Sequence, residues 1–185
     1  VQDFLNTLAA DNPRQPDLLQ DLDSAQQWMQ GARSNLEELS EVFADHAFRL
    51  TERDLRDLSL LREDVREAVA AGLAAADRAP SEGPITRSGS VTITLGADGT
   101  IYTEPMGRGV ELLRSYLLIQ LAEAVGRGVA HRLKICPNEH CRTAFFDESK
   151  NSSRVWHDVR TCGGMANARA YRERARAQRS QVEKQ

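Results

Sequence analysis

Apolar positions recur at helical spacing in several stretches of the chain and alternate in one, and these patterns set the expected elements. Phe4, Leu5 and Leu8 surround Asn6-Thr7 in a short opening helix that Asp11-Asn12-Pro13 breaks. A helix is expected around Leu22 to Gln30, with Trp28 and Met29 inward, Asp23 or Ser24 as N-cap and Gly31 ending it. Another should run from about Asn35 to Ala47, where Leu36, Leu39, Val42 and Phe43 share a face. The strongest periodicity comes next. Thr51 and Asp54 resemble a capping box, and Leu55, Leu58, Leu61, Val65, Ala68, Val69 and Gly72 fall on one face to about Ala76, with Arg and Asp/Glu on the other.

Pro80 to Gly89 is rich in turn formers. After it Val91 to Leu95 alternates, Gly96-Ala-Asp-Gly99 turns, and Thr100 to Thr103 returns, which predicts a β-hairpin. Val110, Leu113, Leu117, Leu121 and Ala124 then mark a helix from about Gly109 to Val129. Leu112, Tyr116 and Leu118 widen its apolar face, so it should be central. Gly107-Arg-Gly109 and Gly126-Arg-Gly128 are similar tripeptides and are read as helix ends rather than as an internal duplication.

A length of 185 residues suits one medium domain, or one domain with a small appendage. With 41% hydrophobic and 28% charged residues the chain reads as soluble and globular. No run approaches the roughly 20 apolar residues of a membrane helix, and no leader pattern opens the chain. A cytoplasmic location without membrane association and with three reduced cysteines is therefore expected. The net charge of -3 hides a division. Residues 1–131 hold 12 Lys+Arg against 21 Asp+Glu, a balance of -9, whereas residues 132–185 hold 12 against 6, a balance of +6. Two modules with that boundary are expected, the first repelling nucleic acid and the second able to attract it.

The acidic module shows no visible reaction. His46 is its one histidine ahead of His131, and no Ser, Cys or carboxylate pair has a catalytic spacing, so no enzyme is expected. Asn6 and Thr7 could put a polar pair at the edge of a ligand pocket, although helix capping explains them equally well.

The basic module is more specific. Cys136, Cys141, His157 and Cys162 give the spacing C-x4-C-x15-H-x4-C, two close pairs of nitrogen and sulfur donors suited to tetrahedral Zn2+. All four positions are filled by protein, so the metal should be structural. His140 is a competing ligand, but it directly precedes Cys141 and the two could not readily close on one ion. Thr143 to Asp147 and Ser153 to Trp156 should form two short strands, with Phe145, Phe146 and Trp156 as a miniature core. About 50 residues bury too little apolar surface to fold without such a metal. The plain alternative is a set of inert buried thiols beside an exposed imidazole. Beyond Gly163-Gly164, Met165 to Ser180 should be helical, and Arg169, Arg172, Arg176 and Arg179 form one stripe along it, with Arg174 off the stripe. Such a stripe suits phosphates or guanine edges of DNA, while its plain reading is a solvated helix or one docked on the acidic module.

Cys136-x4-Cys141, Phe146-Asp147-x-Ser149-x-Asn151-x-Ser153-Arg154-x-Trp156, Cys162-Gly163 and the basic Ala168-Arg169-Ala170-Tyr171-Arg172 together resemble the CGNR zinc-finger family over about 45 residues. In that family the finger usually follows an α/β domain called ABATE, to which Phe4-Leu5-Asn6-Thr7, the helices and the hairpin are similar. The resemblance implies a bacterial, stress-linked transcription regulator whose finger binds DNA and whose ABATE part senses a small-molecule or protein effector. Two departures stand out. His157 replaces the family's third cysteine, and Cys-Gly-Asn-Arg reads Cys162-Gly163-Gly164-Met165, which shifts more of any DNA contact onto the arginine stripe.

The expected fold class is thus α+β: a mostly helical N-terminal domain with a β-hairpin, then a small treble-clef-like zinc finger ending in a basic helix. The first functional expectation is a DNA-binding regulator using Arg154, Arg169, Arg172, Arg176 and Arg179, with a homodimer open to it if its site is palindromic. The second is a small-molecule or protein-binding module in which the finger is only a brace. A zinc hydrolase is the third, and it would need an open coordination position near His140 or Glu139.

Overall fold

Thr51 starts the longest well-defined helix by the predicted device. Its Oγ1 accepts from the Asp54 backbone N–H and the Asp54 carboxylate accepts from the Thr51 N–H, which satisfies two donors at the helix end. The structure is a computed structural model that describes residues 1–11, 14–35, 49–73 and 86–182. Its elements, in chain order, are α1 (Gln2–Leu5), β1 (Ala10–Asp11), β2 (Arg14–Gln15), α2 (Leu22–Asn35), α3 (Glu52–Ala71), β3 (Ser90–Leu95), β4 (Ile101–Met106), α4 (Val110–Gly126), β5 (Leu133–Ile135), β6 (Ala144–Phe146) and α5 (Gly164–Val182). The chain is a mixture of helices and strands with a Cys/His cluster toward its C-terminal end.

α3 is the element on which the others pack, touching α1, α2, α4 and β5. Leu55, Leu58, Leu61, Val65 and Val69 are buried as their spacing predicts, but Ala68 and Gly72 are exposed, because the helix ends at Ala71 and Gly72 turns the chain at φ +89°. Two arginines assigned to the polar face, Arg62 and Arg66, are buried instead. α2 also departs from expectation. It is capped by Asp21, whose Oδ1 accepts from the Ser24 N–H, and it runs through Gly31, with Met29 buried and Trp28 half-buried against Phe4. The helix expected from Asn35 to Ala47 and the residue His46 lie outside the described residues beyond Asn35, as do residues 80–85 of the turn-rich stretch.

The hairpin forms as predicted, with Leu95 opposite Ile101 and Gly99 at φ +82° in the turn. α4 lies against it, flanked by the two Gly-Arg-Gly tripeptides, and buries Val110, Leu112, Leu113 and Leu117. One continuous core joins Phe4, Leu5, Met29, Leu58, Leu61 and Leu113 to Leu133 on β5 and Ala144 on β6. Among the described residues no helix is long and apolar enough to cross a membrane.

β6 does not pair with Ser153 to Trp156, which is not a strand. Its antiparallel partner is β5, with Leu133 opposite Phe146 and Ile135 opposite Ala144. Pairing across the short Cys136–Thr143 turn closes a smaller loop than the expected pairing, and it lets both strands lay an apolar side chain on α1 and α3.

Candidate metal centre

Three local devices deliver the four donors. The turn after β5 is drawn tight by Cys136 N–H donating to the Thr143 carbonyl and by Cys141 and Arg142 N–H both donating to the Asn138 carbonyl, with Arg142 in the left-handed region at φ +52°. This brings Cys136 and Cys141 to one side of the turn. Asp158 caps a single wide turn, Val159–Gly163, by accepting from the Arg160 and Thr161 N–H groups, and Cys162 sits in that turn immediately ahead of α5. A Cβ on Gly163 would stand 3.2 Å from Cδ1 of Trp156, so glycine lets the indole close over the turn.

His157 is held from behind. The Arg154 guanidinium donates to the carbonyls of Trp156 and His157 and lies over the Phe145 ring, 5.2 Å from its centroid. The imidazole Nδ1 then stands 3.0 Å from Cys141 Sγ and 3.5 Å from Cys162 Sγ. All four donor atoms lie within 4.8 Å of one another, and the three sulfurs are buried, free thiols. A zinc tetrahedron has ligand-to-ligand edges of roughly 3.5 to 3.8 Å, so the cluster closes on such an ion with small adjustments. The donors fit the metal in charge as well. Burial pushes the Cys136 thiol up to about 11, opposed by the His157 and Asn138 N–H groups, so a cation is what would favour its thiolate. At Cys162 the effect of burial is outweighed by hydrogen bonding from Asn138, Cys141 and Thr161, which leaves it below its ordinary value. Asn138 Nδ2 is itself buried with no conventional acceptor among the described residues, as an amide turned toward thiolate sulfur would be.

The four residues that the spacing singles out come together in the structure, and the group that holds their surroundings is one the spacing does not mark. Asp147 is completely buried and accepts from Lys134 Nζ at 2.6 Å, from the Ser149 N–H at 2.9 Å and from the Arg154 N–H at 2.8 Å. It thereby ties β5, β6 and the loop to His157 into one knot. Burial opposes its ionisation, but Lys134 and these N–H groups hold its carboxyl well below the usual range. A depressed folded-state value means that the stabilisation is complete above the unfolded carboxyl value near ~3.9 and is lost only as pH falls further. Asp147→Asn is accordingly expected to lower the melting temperature of the metal-loaded protein by several degrees, with the deficit constant between about pH 5 and 7.5. Melts at graded pH check this, and a deficit that vanished within that window would contradict it. Asp147 stands in the Phe146-Asp147-x-Ser149 pattern, but nothing in that pattern marks it as buried.

The remaining candidates separate. His140 is not in the cluster; its Nδ1 lies 3.1 Å from Asp11 Oδ2. Phe145 and Trp156 pack on the cysteines, but Phe146 is 40% exposed and does not belong to the miniature core. Arg154 is exposed while already engaged with the carbonyls before and at His157. Arg169 and Arg172 are exposed on α5, and Arg176 and Arg179 lie further along the same helix. Asn6 is turned to β6: its Nδ2 donates to the Ala144 carbonyl and its Oδ1 accepts from the Ala144 N–H, at 3.0 and 2.7 Å. Thr7 is fully buried, donating to the Phe4 carbonyl and accepting from Arg62.

Residues 132–175 match the family model of the CGNR zinc finger, a span that contains all four donors, the Asp147 loop and the start of α5. No curated protein matches the chain.

Proposed function

We propose that this chain is a DNA-binding transcription regulator in which a zinc-stabilised, treble-clef-like finger holds an arginine-bearing helix against the duplex. Residues 1–131 form a mostly helical, ABATE-like part that senses an effector, and residues 132–185 form the finger. The protein works in the cytoplasm, with stress response as its setting, performs no catalysis of its own, and pairs as a homodimer where its site is palindromic.

One observation carries this reading. α5 starts directly from the turn holding Cys162, and every described position from Gly164 to Arg174 is exposed except the half-buried Ala166. A helix docked on the acidic surface would be covered along one side. Between Gly164 and Val182 there are five arginines and a single acid, Glu173. A rod fixed at its root and charged along its length is suited to a phosphate backbone.

Fluorescence anisotropy of the zinc-loaded protein with a labelled duplex at graded salt tests the proposal. The expected result is affinity that falls steeply with salt, and a double variant Arg172→Ala, Arg176→Ala that weakens binding and reduces the log–log salt slope by about 2. Absence of binding, or binding indifferent to salt and to these arginines, would overturn it.

A second reading has its own support. The finger is tied to the N-terminal segment by Asn6 to Ala144, by Arg66 to the Arg142 carbonyl and by His140 to Asp11. In a binding module with the finger as a brace, loss of the metal would abolish effector binding while the arginine substitutions changed nothing.

A further inference from the structure

We propose that the cavity between the first strand pair and the cysteine turn is a binding site for a small monocarboxylate with a compact apolar body, of about benzoate size, whose carboxylate meets Arg66 and Arg142. The cavity measures about 160 Å³. That is close to the volume of roughly 150 Å³ known to accept benzene in a protein interior. Leu5, Leu8 and the alanines that follow supply its apolar contacts beside the neutral polar Asn6 and Gln15, and the two arginines line it together with Cys141 and His157. Among the described residues no carboxylate lines it.

Arg66 is the unusual wall. It is only 4% exposed, and it makes no hydrogen bond to a carboxylate among the described residues. Its Nη1 donates to the Leu5 carbonyl and its Nη2 to the Arg142 carbonyl, whereas its buried Nε–H has no acceptor among the described residues. A buried guanidinium with five donors, placed beside a second arginine, is a ready partner for an oxyanion. Counting the metal centre does not cancel this charge. A dication with three thiolates carries one net negative charge against two arginines, leaving one positive charge for one carboxylate.

The adjoining open hollow of about 630 Å³ shares Arg66 and Arg142 but is also lined by Glu63, Glu67 and Glu139, which repel an anion. The smaller cavity is therefore the one that selects for negative charge. Since Cys141 and His157 form part of its wall, a bound carboxylate also touches the metal centre's surroundings, and by linkage it should slow metal loss. The inference supplies the effector chemistry for the sensing part proposed above and rests on that reading for its biological use, while the binding itself needs no DNA.

Isothermal titration of the zinc-loaded protein with benzoate, benzyl alcohol and inorganic phosphate, without DNA, tests the site. Benzoate is expected to bind saturably, with benzyl alcohol and phosphate each at least about tenfold weaker, because each keeps only half of the recognition. Arg142→Gln, at an exposed side chain, should weaken benzoate about tenfold while zinc content stays at one per chain. Should that variant fail to fold, the three-ligand comparison on the unaltered protein decides. No saturable benzoate binding at about 10 mM, equal binding of either control, or an unaffected folded Arg142→Gln variant would each overturn the proposal. A negative result here leaves the DNA anisotropy experiment untouched, so the two readings fail separately.

Discussion

Removing zinc with a chelator is expected to unfold the segment from Cys136 to Gly163 and to release α5 from its fixed direction. Apparent binding energies for structural zinc in isolated fingers are about 10–16 kcal/mol, and in such segments that energy is folding energy. Apart from Phe145 and half-buried Trp156, the local cluster here consists of the cysteines themselves, so little else resists collapse. Leu133 and Ala144 belong to the larger core, β5 packing on α3 and β6 on α1, so both strands should loosen less than the donor loops. Limited proteolysis with and without chelator reads this out: new cleavage is expected between residues 147 and 163, together with an early, separate thermal transition. Cys162→Ser should reproduce the pattern without chelator. An unchanged digestion pattern in metal-stripped protein would show that the fold stands without the ion and would remove the basis for a zinc-built support.

The second large effect should come from a place with no role in metal binding. Arg62 is buried on α3, and its two terminal nitrogens meet the two carboxylate oxygens of Asp17 at 2.7 and 2.9 Å. The same Asp17 Oδ1 accepts from the Leu19 N–H, and Arg62 also donates to Thr7. Asp17→Ala removes the bidentate carboxylate and leaves the buried guanidinium only the half-exposed Glu63, 3.2 Å from its Nε, as countercharge among the described residues, and losses of about 3–5 kcal/mol are typical when one partner of a buried pair is deleted. Arg62→Met, which removes the charge and keeps much of the side-chain volume, should cost distinctly less. Chemical denaturation of the two variants compares them directly. If Asp17→Ala shifted stability by less than about 1 kcal/mol, the pair would belong with ordinary surface bridges.

The same pair shows how far the sequence could be read. Regular periodicity made α3, the hairpin and α4 legible, because one repeated pattern of apolar burial determines each of them. The four donors were legible for a different reason: few side chains bind zinc, and paired spacing leaves few arrangements. Arg62 and Arg66 are not legible in this way, because charge ordinarily means exposure, whereas each is buried by bonds to Asp17, Thr7, Leu5 or Arg142 far away in the chain. Asn6 could be singled out but not interpreted. Its amide acts on a backbone 138 residues away, and nothing local announces such a bond. The β5 pairing was missed because Leu-Lys-Ile is too short to show alternation.

That Asn6 contact bears on how the protein is made. During translation at about 5–20 residues per second, Asn6 leaves the ribosome well before Ala144 is synthesised. The opening helix therefore waits with an unmatched amide while the intervening residues are made, and the nascent chain can complete this corner only after the cysteine turn has emerged. Ion capture and closure of the first segment thus wait on the same emerging turn, and a shortage of metal at that point would leave both unfinished.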